Sequence, residues 1–322
     1  MSPALHYGQE AYEGMKAFRT PENKIQIFRP AKNALRLQHS ASFVSIPPVS
    51  EKHFIHCVHA AVSLNAAYVP PHETGATLYI RPVIFGSSAT LVLSPLEEYI
   101  FCVYVLPVGV YHGVHPVKAL ILEDFDRCAP VGTGSAEIGG NYAPVAPHID
   151  KSEKEGYGIT LHLDSKTRSE IDEFSTSAFI GVNRDSEKIT LSVPESKHII
   201  DSVTADSCLQ IAKSKGWKTE VRSIKYDELS KFTEVIAAGT AAGLVPIRSI
   251  SRKSDRFRVD YINETSDEPG EVCLELLRVL KGTQRGLIKD TFNWTLPVTE
   301  CNIRDFGEAE RMGSNGCVDN FP

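Results

Sequence analysis

An α/β protein of two domains is what the sequence predicts, and three observations carry that expectation. Short apolar segments rich in β-branched and aromatic residues alternate with stretches whose apolar residues recur at helical spacing. The chain has 322 residues, enough for about two domains of ordinary size. One stretch, 123–135 (EDFDRCAPVGTGS), mixes charge, Pro and Gly in the manner of an interdomain connection.

The elements follow in order. Residues 32–43 and 51–68 carry apolar residues at helical spacing, and the second helix is expected to stop before Pro70-Pro71. Residues 77–84 (TLYIRPVI), 99–106 (YIFCVYVL) and 117–122 (VKALIL) are short, apolar and β-branched or aromatic, hence strands. Beyond the connection, strands are expected near 157–163, 178–182 and 188–191. A helix over 203–215 should end at Gly216, the residue type that tolerates the left-handed conformation past a helix C-terminus. Strands near 219–224 and 234–238 and a helix around 269–280 complete the list. Residues 299–322 lack periodicity and are rich in Gly, Asn and charge, so they read as a disordered tail. This divides the chain into a small α/β domain (1–123), a connection (124–134), a larger domain (135–298) and the tail.

Composition narrows the function. Lys and Arg number 34 against 40 Asp and Glu, a net charge of -6 with no basic stripe, which speaks against a nucleic-acid partner. The 7 cysteines (57, 102, 128, 208, 273, 301 and 317) stand singly, without the paired spacing of a metal site or disulfide framework. No apolar run reaches the length of a membrane span, and the first residues show neither a signal-peptide core nor an Arg-rich transit segment. The expectation is a cytoplasmic protein with no metal and no membrane partner, a mitochondrial location staying open.

Taken singly, the chemical candidates have ordinary readings beside the functional ones. Ser202-Val203-Thr204 opens a helix and is either a plain N-cap or an anion site. Residues 239–242 (GTAA) follow a strand and form either a close-packed turn or a cradle of backbone N–H groups. Arg36, among apolar helix positions, reads alone as a snorkelling surface arginine, and Glu173 as a solvated carboxylate at a strand edge.

Their order is far more specific. Residues 6–16 (HYGQEAYEGMK), 28–36 ending in Arg36, 79–82 (YIRP), 132–134 (GTG), 139–142 (GGNY), 173–177 (EFSTS), 203–204, 239–242 and 294–298 (WTLPV) resemble, in sequence order and spacing, the branched-chain amino-acid aminotransferases. The resemblance implies the type IV pyridoxal-phosphate fold, a small α/β domain and a larger pseudo-barrel domain, assembled as a homodimer around a small-molecule substrate. It places Arg36, Val203, Thr204 and Thr240 at the cofactor phosphate, Glu173 at the ring nitrogen and Tyr142 at the ring hydroxyl. Tyr7, Tyr12, Tyr79, Arg81, Ala241 and Ala242 fall on the substrate side. Charge-assisted donors suit the phosphate, and a fixed carboxylate suits a ring that must stay protonated.

One position departs from the family. The lysine that joins the cofactor as a Schiff base stands two residues before the Gly-Gly-Asn-Tyr motif, and here that position is Glu137. A carboxylate forms no imine, so pyridoxal phosphate, if bound, is expected to be held non-covalently. Loss of a positioned proton shuttle by itself slows a reaction by roughly 10²–10⁴-fold. Ordinary transamination is therefore expected to be absent or crippled. Smaller departures are Ala205, where the family has an arginine, Ala178, where it has an asparagine, and a short front to the small domain. Three readings follow: an enzyme using the retained pocket for lysine-independent acid/base chemistry with Glu137 and Tyr142 as its catalytic groups, of isomerase, cyclase or lyase type; a branched-chain aminotransferase (Leu, Ile or Val with 2-oxoglutarate) altered at Glu137; or a non-catalytic dimer partner.

Overall fold

The computed structural model describes residues 2–109, 115–186 and 188–300. Most of the expected tail, 301–322, lies outside the described residues. The chain folds into two sheets, one of six strands and one of nine, with helices packed against them.

The first sheet begins after a short helix α1 (Pro3–Tyr7) and contains β1 (Glu10–Tyr12), β2 (Met15–Arg19) and β3 (Ile25–Phe28). Helices α2 (Pro30–Phe43) and α3 (Glu51–Leu64) follow, then β4 (Thr77–Gly86) and β5 (Tyr99–Val108). β1 and β2 pair antiparallel with successive halves of one edge of β4, and β5 pairs along the whole of its other edge. Phe54, Val58 and Val62, one face of α3, lie in the core with Leu78, Ile80 and Ile84 of β4. Helix α3 starts at Ser50, whose hydroxyl accepts the His53 N–H, and ends at Asn65, before the Pro pair. The expected helix over 51–68 is thus an α-helix followed by a separate 3-10 turn, Ala66–Tyr68.

The second sheet holds β6 (Val117–Ile121), β7 (Ile159–Leu163), β8 (Ile171–Phe174), β9 (Ala178–Asp185), β10 (Lys188–Pro194), β11 (Lys218–Arg222), β12 (Glu234–Gly239), β13 (Gly243–Ser251) and β14 (Arg258–Asp260). The order is β11-β10-β9-β12-β13-β6-β7-β8, with β14 beside β13; β10–β11, β13–β6 and β6–β7 are parallel and the other pairs antiparallel. Its inner strands are covered on both faces, which is why they read as unbroken apolar runs. In β12, Ile236 and Ala238 join the core under α5 (Val203–Ser214) and α6 (Glu271–Gln284), while Val235 and Ala237 face a core with Phe174, Phe179 and Phe232. Gly216 has φ 75°, the left-handed end to α5 that its position after the helix predicts.

The chain is shared between the sheets differently from the expected boundaries. β6 precedes the connection yet lies between β13 and β7 of the nine-stranded sheet. β15 (Thr295–Pro297) returns to pair with β3 of the six-stranded one. Both are short apolar strands, and their backbone groups are satisfied by the strands they pair with, β13 and β7 for β6 and β3 for β15. Helix α4 (Ala146–Lys154) and strands β13 and β14 have no counterpart among the expected elements.

Candidate active site

The cavity that gathers most of the sequence-derived residues lies between the sheets and measures about 420 Å³. The first sheet supplies Tyr12 at the end of β1 and Tyr79 and Arg81 from β4; α2 supplies Arg36. Glu173 comes from β8, Val203 from the start of α5, and Thr240 and Ala241 from the turn joining β12 to β13.

Glu137 and Tyr142 reach it on a segment clamped to the first sheet. The Glu137 carbonyl accepts the Tyr12 N–H at 3.0 Å, its own N–H donates to Ser40 Oγ at 2.9 Å, and the Gly139 N–H donates to the Glu10 carbonyl at 3.0 Å. A Cβ at Gly139 would sit 2.7 Å from the Gly8 carbonyl oxygen, so this approach of two backbones needs glycine. Asn141 closes the loop behind: Nδ2 donates to the carbonyls of Thr133 and Ala136, and Oδ1 accepts the Thr133 hydroxyl. The GTG and GGNY motifs are therefore two ends of one hydrogen-bonded loop.

Arg36 is buried, not a snorkelling surface residue. Its Nε and one terminal nitrogen donate to the two oxygens of Glu13 at 2.7 and 2.8 Å, and the other donates to the Asp201 carbonyl at 3.2 Å. Three of the five guanidinium N–H groups are thus engaged, leaving two for an anion in the cavity. Arg81 donates to the Tyr79 hydroxyl at 2.9 Å, and its guanidinium carbon lies 5.0 Å from the Tyr12 ring centroid and 5.3 Å from that of Tyr79.

Glu173 is buried rather than solvated. One carboxylate oxygen accepts the Cys128 thiol at 3.3 Å, the other accepts the Ile200 N–H at 3.2 Å, and the nearest cation, Arg127, stands off at 3.9 Å. Burial pushes its carboxyl up to about 7 against the pull of Arg127. Burial likewise raises the phenols of Tyr12 and Tyr142, and the Glu137 carboxylate raises both further. Both tyrosines are neutral donors near neutral pH.

Not every expected residue arrives. Thr204 and Ala242 line a smaller adjoining cavity instead. Tyr7 lies outside the site: it is half exposed, donates its hydroxyl to the Leu91 carbonyl at 2.9 Å and lines a separate surface groove. Gly8, in the left-handed conformation at φ 66°, turns the chain between Tyr7 and Tyr12 and sends the two rings to different places. Conversely, Glu13 and Arg127 stand behind the site, one paired with Arg36 and the other against Tyr142 and Glu173, and neither is given a role by the sequence. Glu13 sits inside the 6–16 motif, so its place there was a signal. Arg127 lies in the stretch read as a connection, without periodicity; it is buried, 5.2 Å from the Tyr142 ring centroid, and donates to the Gly134 carbonyl. Among the described residues no group of His, Cys, Asp and Glu could hold a metal ion, and no helix is long and apolar enough to cross a membrane.

Known proteins share this architecture. Residues 10–250 match the family model for amino-transferase class IV. Aminotransferase poxL of Penicillium oxalicum is 56% identical over 301 residues, 93% of this chain and 82% of that protein. Aminotransferase atnJ of Emericella nidulans is 52% identical, covering 94% and 88% of the two chains. The branched-chain amino acid aminotransferase gloG of Glarea lozoyensis is 47% identical, covering 93% and 84%. Among solved structures, a T.th. branched-chain amino acid aminotransferase with pyridoxamine 5′-phosphate superposes with a TM-score of 0.77 at 26% identity over 92% of each chain. Class IV enzymes use pyridoxal phosphate. On the match of its sequence over residues 10–250 and the fold it shares with these enzymes, the chain belongs to the class IV aminotransferases.

Proposed function

We propose that this chain binds pyridoxal phosphate without a covalent tether and uses the pocket for acid/base chemistry on a small biosynthetic intermediate, of isomerase, cyclase or lyase type. One observation carries the reading: Glu137 lines the cavity beside Tyr12, Tyr142 and Arg36, and no lysine lines it among the described residues.

The donor set suits the cofactor. The N-terminus of α5 at Val203, the Thr240 turn and the two spare N–H groups of Arg36 would hold a phosphate. Glu173, a buried carboxylate whose cation neighbour Arg127 stands 3.9 Å off, would hold a protonated ring nitrogen and be kept ionised by it. Tyr142, a neutral donor, would meet the ring hydroxyl. When bound, the group would supply an aldehyde conjugated to a protonated ring, an electron sink for an amine substrate that condenses with it. Arg81, steadied by Tyr79, orients the substrate's acid group, and Tyr12 shields that side from water. Glu137 accepts a proton at a carboxylate oxygen and returns it to a neighbouring substrate atom. A homodimer is the assembly this reading expects.

A second reading is a branched-chain aminotransferase crippled at Glu137; it is supported by the relatives named as aminotransferases, gloG among them. One experiment separates the two. The protein as it stands, incubated with pyridoxal phosphate and reduced with borohydride, should gain no cofactor mass on a lysine of the pocket. Glu137→Lys should gain it at residue 137 and show at least weak transamination of leucine, isoleucine or valine with 2-oxoglutarate if the second reading holds. Covalent capture without any branched-chain turnover supports the first. A gain of one reduced cofactor, mapped to any lysine in the pocket of the unaltered protein, overturns the untethered cofactor common to both readings.

A further inference from the structure

Behind the turn from Gly239 to Gly243 lies the smaller cavity, about 140 Å³ in volume. It shares Gly14, Val203 and the turn with the main pocket, but its outer wall is cationic: Lys16 from β2, and Lys281 and Arg285 at the end of α6.

These cations are held in place. Lys16 Nζ donates to the Ala241 carbonyl at 2.6 Å, on the turn that walls both cavities. The Lys281 stem crosses the other end of the turn, its Cε 3.7 Å from where a Cβ on Gly243 would stand. Arg285 donates to the His72 carbonyl at 2.7 Å. Among the described residues no carboxylate pairs with them. The two acids of α6 are engaged elsewhere, Glu271 with Arg184 and Glu275 with Lys215 and Arg278, and no ion pair among the described residues includes Lys16, Lys281 or Arg285. The cations feel one another. Burial pushes Lys16 down to about 8, with Lys281 adding to the effect, and Lys281 is lowered by burial and by Arg285. Like charges around one concavity disfavour each other, and an anion seated among them removes that penalty.

We propose that this cavity is a binding site for a small oxyanion, a carboxylate or phosphate group, seated between Lys16, Lys281 and Arg285. Its size admits an acid group or a short diacid and falls below the roughly 300 Å³ at which pockets enclose drug-sized molecules. The three cations line this cavity and not the main pocket, so the site does not require Glu137. Its occupant touches the back of the Thr240–Ala241 turn, and a negative charge there competes with the Ala241 carbonyl for Lys16.

Calorimetric titration of inorganic phosphate into the full chain, with and without saturating pyridoxal phosphate, tests this. Binding should persist with the cofactor present and weaken by about tenfold in Lys281→Gln, as expected for losing one charge-assisted contact, and further in Lys281→Gln/Arg285→Gln. Glutarate in a parallel titration separates the sources: tighter glutarate identifies a carboxylate ligand, tighter phosphate a phosphorylated one. Both substitutions keep the side chains long and polar. In anion-free buffer the thermal midpoint of the double variant should therefore equal or exceed that of the unaltered protein. Silence toward both anions, or affinity unchanged in the double variant, overturns the proposal.

Discussion

Replacing Glu13 by glutamine should destabilise this protein more than any surface charge change. The Glu13 side chain is 0% exposed and that of Arg36 8%, and they are joined by two hydrogen bonds of 2.7 and 2.8 Å. Burial pushes the Glu13 carboxyl up and the Arg36 guanidinium, bound to both its oxygens, opposes that only in part. Glutamine keeps the shape but removes the negative charge and turns an N–H₂ group toward one of the Arg36 donors. Breaking one side of a buried pair leaves an uncompensated charge at about 3–5 kcal/mol. That is a large part of the roughly 5–15 kcal/mol that holds a domain folded. At roughly 2–4 °C per kcal/mol, the thermal midpoint should drop on the order of 10 °C. Urea unfolding, followed by tryptophan fluorescence and far-UV circular dichroism together, reads the same loss as a lower midpoint at unchanged slope. Two further outcomes are specific to the arrangement. Glu13→Gln/Arg36→Met, which removes both charges, should recover much of the loss, and millimolar phosphate should stabilise Glu13→Gln more than the unaltered protein, because the freed guanidinium faces the cavity. A loss below about 1 kcal/mol, the range of exposed pairs, would refute the reasoning, as would a double variant as unstable as the sum of the singles.

Glu173 sets a pH dependence. Its carboxyl ionises near 7 in the folded protein, because burial disfavours the charge, and near ~4.3 in the unfolded chain. Between those values the unfolded state binds fewer protons, so stability falls as pH rises, by about 3–4 kcal/mol in total. Thermal midpoints from pH 4 to 8 should show Glu173→Gln gaining on the unaltered protein across that window; a difference independent of pH would contradict the assigned burial. Assembly is also open to measurement. Phe101, Val103 and Val105 of β5 face the core while Ile100, Tyr104 and Leu106 are exposed on its other side, an apolar face suited to a second copy. Light scattering at micromolar concentration should report a dimer, and a stable monomer would count against it.

Much of the scaffold was legible because its signals are local. Helices α2, α3 and α5 and strands β4, β5, β9 and β12 carry the periodicity or the apolar run that their packing demands, and each begins close to its expected place. Strand β13 was not legible, because Pro246 and the buried Arg248 interrupt its run. The arginine is satisfied from afar, by the carbonyls of Asn263 and Ser266 and by Asp267. Helix α4 buries only Ser152 and so lacks the apolar stripe that marks a helix. Strand β15 is three residues long and acquires its conformation from β3.

The sequence by itself determined which chemical groups the site has to work with: a carboxylate at Glu137, phenols at Tyr12, Tyr79 and Tyr142, guanidiniums at Arg36 and Arg81, and their order along a family pattern. Residue type and spacing are written in the chain. Only the tertiary structure decided which groups meet, and in what surroundings. Tyr12 enters the cavity and Tyr7, from the same motif, does not, because the left-handed Gly8 separates their directions. Arg36 is half committed to Glu13, and Arg127 emerges from an apparent connection to lie against Tyr142. Glu173 becomes hard to ionise because β8 buries it beside a thiol, and Arg127 at 3.9 Å offsets that burial only in part. Burial and partnership arise where distant segments come together, and the energy of a charge depends on that neighbourhood more than on the residue that bears it.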